Sequence, residues 1–115
     1  MNLHVNEIKL VDDQVHVFTA EEPLDQLTAT GQMITDSDHF QFVYQLDDGT
    51  AYQHLRFVEE TWPMMNDYKD KEWLLYGTVK LERFTEEFEL LLDNIKDNHN
   101  YGKAFTEKVE EVFAL

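Results

Sequence analysis

The stretch Asp36–Trp62, DSDHFQFVYQLDDGTAYQHLRFVEETW, decides the fold. Within residues 39–46, Phe40, Phe42, Tyr44 and Leu46 alternate with His39, Gln41, Val43 and Gln45. A period of two marks a strand with one buried face, because successive side chains point to opposite sides of a pleated chain. Asp48-Gly49 follows. Both central residues of a type I′ turn need positive φ, which Asp and Gly tolerate, so the pair predicts a two-residue hairpin loop. That loop would place Leu46 opposite Ala51, Phe42 opposite Leu55 and Phe40 opposite Phe57, all on one face. The other face would collect His39, Gln41, Val43, Gln45, Tyr52, His54, Arg56 and Val58. A slip of one residue would turn every phenylalanine outward, so the pattern itself resists it.

Outward from this hairpin, Glu59-Glu60-Thr61 followed by Trp62-Pro63 reads as a helix start, running to about Lys69 with Trp62, Met65 and Tyr68 inward. Trp73–Tyr76 and Val79–Leu81 read as short extended pieces around Gly77. Phe84, Phe88, Leu91, Leu92 and Ile95 form one helical stripe. Tyr101, Phe105, Val109, Val112 and Phe113 form a second, across the capping-rich segment DNHNYG. The shortness of that segment predicts antiparallel neighbours. Toward the N-terminus, residues 3–10 and 14–19 predict a hairpin turning at Asp12-Asp13, with a bulge between Val5 and Ile8. Glu21-Glu22-Pro23 predicts a short helical turn with Leu24 and Leu27 inward, ended by Gly31. Gln32–Thr35 is expected to be a short extended piece. Strands first and helices last predict an α+β fold: an antiparallel sheet of two N-terminal hairpins, packed on one face by the C-terminal helices. The 115 residues suit a single domain, 1–115, with enough chain to bury a core.

Composition bounds the function. Aspartate and glutamate number 24 against 9 lysines and arginines, a formal charge of −15. Residues 1–60 hold 12 of the acids and two bases. Such a chain is repelled by phosphate backbones and anionic membranes, so neither nucleic acid nor a membrane is expected as a partner. Arg56 and Arg83 are the only arginines. Cysteine is absent, which excludes disulfides, thiolate metal sites and a cysteine nucleophile. The start MNLHVNEIKL lacks the basic and apolar regions of a signal peptide, and no apolar run reaches the roughly 18 residues needed to span a bilayer. A cytoplasmic location follows as the expectation.

No motif forces one chemistry. The five histidines lack the i,i+4 or H-x-H spacing of a metal site. On the predicted strands His39 and His54 would share a face about 13 Å apart, at about 3.4 Å per residue, too far to share an ion. Asp36 and Asp38 are the weak metal candidates, two carboxylates at i,i+2; the same DSDH run also reads as an Asx-turn. Glu59 and Glu60 would form an acid/base pair only if burial split their pKa values, and at a helix start they more simply face free amides. No catalytic residue and no cofactor is therefore assigned. The mixed patch His39, Gln41, Tyr52, His54 and Arg56, with Trp62, is the candidate contact surface for a protein partner. An apolar surface around Trp62 and the last helix would suit a homodimer.

The ordered short motifs GQM, DSD, F-x-F-x-Y, LDDG, AY, FVEETW, LLDNIK, NYGK and the VE-x-V-F end resemble the YjbL-like uncharacterised family of Bacillus, Staphylococcus and relatives, over nearly the whole chain. The resemblance implies a bacterial cytoplasmic protein and supplies no activity, cofactor or residue role. The leading expectation is a non-enzymatic interaction or regulatory module. The alternatives are a metal-dependent or hydrolytic enzyme built on an Asp/Glu cluster and, as a minor one, a nucleic-acid mimic.

Overall fold

The computed structural model describes residues 2–23 and 26–115. Seven strands appear in the order β1 (Asn2–Val11), β2 (Gln14–Thr19), β3 (Thr28–Asp36), β4 (Gln41–Asp47), β5 (Tyr52–Phe57), β6 (Glu72–Leu75) and β7 (Val79–Lys80). A 3-10 turn at Glu59–Thr61 leads into α1 (Trp62–Tyr68); α2 (Phe84–Ile95) and α3 (Lys103–Phe113) close the chain.

The strands make one sheet in the order β3-β4-β5-β1-β2-β6-β7. It is mixed rather than antiparallel. The pairs β1/β2, β3/β4, β4/β5 and β6/β7 are antiparallel, but β1 runs parallel to β5 through Asn2–His4, and β2 runs parallel to β6 through Gln14–Val17. The long crossovers that parallel pairs require are supplied by β3–β4 and by α1. The sheet also curls. Its two outer strands approach each other, so that a Cβ at Gly31 in β3 would lie 3.8 Å from the Glu82 carbonyl just beyond β7. Tyr44 joins these edges, its hydroxyl accepting from Gly31 N–H at 3.1 Å and donating to Glu82 C=O at 2.6 Å. The result is nearly a barrel, filled from its concave side by all three helices, α1 included, rather than a flat sheet under two terminal helices.

Phe42 sits where these layers meet. Its ring lies 5.2 Å from Trp62 in α1, 5.0 Å from Phe88 in α2, and 6.2 and 6.0 Å from Phe105 and Phe113 in α3. A second aromatic group, Phe57, Trp73 and Phe84, continues the core toward β6, with Trp73 stacked on Phe84 at 4.4 Å. The predicted helical stripes are the buried faces: Phe84, Phe88, Leu92 and Ile95 in α2, and Phe105, Val109 and Phe113 in α3.

The central hairpin keeps its predicted faces but not its predicted register. Leu46 pairs with Gln53, Tyr44 with Leu55 and Phe42 with Phe57. This is a slip of two residues, which the period-two pattern permits because it returns every side chain to the same face. The cause is the Asp48 carboxylate. It accepts the amides of Thr50 and Ala51 and the Thr50 hydroxyl, while Asp47 accepts the Gly49 amide. Those bonds favour a four-residue loop, 48–51, over the two-residue one. They also hold Asp48 at a pKa of about 2, the backbone amides first. The two-residue loop with two positive φ angles exists instead at Asp12-Asp13, φ 49° and 68°, and the predicted bulge lies between Val5 and Glu7.

Phe40 belongs to the turn before β4, not to the strand, at φ 54°. From there it still reaches inward to stack on Trp62. Among the described residues of 20–31 there is no helical turn; β3 begins at Thr28, and Gly31 with φ 75° forms part of an irregularity inside it. Leu24, expected to face inward, lies outside the described residues, whereas Leu27 packs against the core.

Candidate functional site

The three helices pack on the concave face and, among the described residues, leave no helix over the convex face of β1, β4 and β5, although Val43, expected to face outward there, is buried. The centre of this face is Arg56. In β5 its neighbour on one side is Val43 of β4 and on the other His4 of β1. Three acceptors hold the guanidinium: Asn2 Oδ1 takes Nε–H at 2.9 Å, and Asp36 Oδ2 and Gln41 Oε1 take Nη1–H at 2.8 and 3.0 Å. A planar fork bonded along two edges has little rotational freedom, so the charge is fixed in direction.

Asp36 closes a second contact. Its carboxylate accepts the His39 amide, three residues on, at 3.3 Å and approaches His39 Nδ1 at 2.9 Å, one residue farther along than the Asx-turn expected in DSDH would reach. Partial burial pushes the Asp36 carboxyl upward, but the hydrogen bonds from Arg56 and then His39 outweigh it, leaving the carboxyl below its usual range. On the far side, Glu21 accepts the His4 amide and ring Nδ1, each at 2.6 Å. The amide bond, then the ring bond, lowers the Glu21 carboxyl. His54 is the third histidine beside Arg56, two residues away on the same strand face. Partial burial, then the arginine charge, depresses its pKa. Asn2, His4, His39, Gln41 and Arg56 line a shallow cleft of about 210 Å³.

The structure thus assembles His39, Gln41 and Arg56 around one cleft, with His54 beside it. Tyr52 is on the same face but at the far end of β5, about 13 Å away at about 3.4 Å per residue, and strongly exposed. Trp62 is elsewhere. It is fully buried, its indole N–H donating to the Phe57 carbonyl at 3.4 Å, and it is a core residue unavailable to a partner. His39 lies in the turn Ser37–Phe40 rather than on a strand. Asn2, His4 and Glu21 complete the cluster and carried no local signal. Only the parallel pairing of β1 with β5, across some fifty residues, brings them to Arg56.

The acidic candidates do not converge. Asp36 is engaged by Arg56 and His39, Asp38 is exposed, and Glu59 pairs at 3.9 Å with Lys108 of α3. Among the described residues no group of three His, Asp or Glu side chains is placed to hold a metal ion. No helix among them is long and apolar enough to cross a membrane.

Residues 3–113 match a family described as a family of unknown function, UPF0738. Relatives include UPF0738 proteins of Staphylococcus haemolyticus, 44% identical, and of Staphylococcus epidermidis and Staphylococcus aureus, each 45% identical. Each alignment spans 115 residues, all of this chain and 99% of the relative. No solved structure matches the chain. The family description carries the name UPF0738 rather than YjbL. The match over nearly every residue, with this identity at full length, makes the chain a member of the UPF0738 family.

Proposed function

We propose that the protein is a non-enzymatic interaction module that contacts a protein partner through the convex face centred on Arg56. The supporting observation is the fixed guanidinium. An arginine held by Asn2, Asp36 and Gln41 on an uncovered sheet face is preorganised at little further entropy cost on binding. His54 and His39 beside it, and Tyr52 at the far end of β5, supply the aromatic and adaptable polar contacts typical of protein interfaces.

Affinity capture from a staphylococcal extract, with wild-type protein beside Arg56→Glu and Tyr52→Ser variants, tests the reading. The expected result is one stoichiometric protein partner lost with Arg56→Glu and weakened with Tyr52→Ser. Capture unchanged by both variants would place the contact surface elsewhere, and a partner-free protein that turns over a substrate would refute the module.

A further inference from the structure

One strand edge has no strand beside it among the described residues, only the Glu59–Thr61 turn and the start of α1. Beyond His4, β1 no longer pairs with β5, because the chain after Phe57 turns into the Glu59–Thr61 turn. Residues Glu7–Val11 pair with β2 on one side, and no described strand pairs with the other. The hairpin closes on Val11 and Gln14 with a two-residue loop, so Glu7, Lys9 and Val11 turn their amides and carbonyls toward β2. Ile8 and Leu10 turn theirs to the open edge. Leu10 is 46% exposed although it lies on the core side of the sheet, one pleat beyond Ile8.

Beside this edge is a cleft of about 130 Å³, lined by Val5, Ile8, Val58, Thr61 and Met64, with Glu7 and Glu60 at its rim. At about 30 Å³ per water-sized group it has room for about four such groups, the size of a leucine side chain.

We propose that this edge binds a second copy of the chain, two β1 strands meeting antiparallel about a two-fold axis at Ile8. The charge pattern selects that register. With Ile8 opposite Ile8, Glu7 faces Lys9 of the other copy, twice by symmetry. The next register on the same hydrogen-bonding edge, with its axis at Lys9, sets two lysines against each other and is disfavoured. In the favoured register Leu10 lies opposite Asn6 of the other copy, beside the cleft that fits it. Each copy therefore fills the other's cleft. Lysine on an edge strand ordinarily discourages pairing; here it makes the pairing selective. The contact is one hairpin per copy, well under a standard interface, and both copies carry −15, so the dimer is weak.

Sedimentation equilibrium in about 0.15 M salt, at protein concentrations up to about 1 mM, tests it. The expected result is reversible growth toward the dimer mass, abolished by Leu10→Asp. Glu7→Lys and Lys9→Glu should each weaken the dimer about tenfold, since each sets like charges together at both symmetric contacts. The double reversal, Glu7→Lys with Lys9→Glu, should restore it. Circular dichroism confirms that each variant is folded. A wild-type protein still monomeric at about 1 mM, a dimer indifferent to Leu10→Asp, or a double reversal no better than the singles overturns the proposal.

Discussion

Replacing Tyr44 by Phe removes one oxygen and should loosen the whole barrel. The side chain is fully buried, and its hydroxyl joins β3 to the segment after β7, the two open edges of the sheet. The phenyl ring stays, so packing against Phe84 at 6.4 Å is kept. What is lost is a partner for two backbone groups. The Gly31 N–H lies in a buried bond, and an unsatisfied buried donor costs about 1–3 kcal/mol. The Glu82 carbonyl is only partly buried, retains access to water and adds less, about 0.5–1 kcal/mol. Together the expected loss is about 1.5–4 kcal/mol, a substantial part of the 5–15 kcal/mol that holds a typical domain. Guanidinium unfolding followed by tryptophan emission measures it, because Trp62 and Trp73 are both buried. With a slope of about 3 kcal/mol per molar, the midpoint should fall by roughly 0.5–1.3 M. Tyr52→Phe, at an exposed position, should change stability by less than about 0.5 kcal/mol. A Tyr44→Phe loss equally small would refute the idea that this hydroxyl joins the edges.

Burial raises the Tyr44 phenol to about 12, so spectrophotometric titration should show one of the five tyrosines ionising late. The unfolded phenol ionises near 10, so stability should be intact below that pH and fall as pH rises toward 12. At the acid end, Glu21, Asp36 and Asp48 are held below their ordinary values. The unfolded chain then takes up protons first, so stability should fall as pH drops from about 4.5 toward 2, and urea midpoints across that range check the sign. Gly31→Ala forces a side chain to φ 75° with its Cβ 3.4 Å from Arg83 Cδ. It should cost about 1–2 kcal/mol by thermal unfolding, and a neutral result would mean that β3 relaxes there freely. Trp62→Ala should cost about 3–5 kcal/mol, and a loss below 1 kcal/mol would show the residue to be peripheral after all.

The convex face around Arg56 was only half legible from the chain. Gln41, His54 and Arg56 fall on one face by strand alternation alone, and DSDH announces its turn through the Asp36 carboxylate. Asn2, His4 and Glu21 carry no such mark. A parallel strand pair leaves no trace in local sequence, because its partners are joined by a long crossover rather than by a turn. Trp62 misled for a related reason. A tryptophan at a helix start has the same local pattern whether it faces a partner or a core, and the four phenylalanines packed against it, Phe40, Phe42, Phe105 and Phe113, come from the turn before β4, from β4 and from α3.

By itself the sequence determined the α+β class, the inward face of Phe42, Tyr44, Leu46, Leu55 and Phe57 in the central hairpin, both terminal helical stripes, the β1 bulge and the first hairpin. All of these are set by interactions within a few residues, where side-chain period and turn chemistry act directly. The tertiary structure decided the central register, where the Asp48 carboxylate won over the Asp-Gly turn preference. It also decided the mixed strand order and the curl that brings Gly31 to Glu82. Closure depends on a hydroxyl meeting backbone groups 13 residues before it and 38 after it, a coincidence in space that no periodicity encodes.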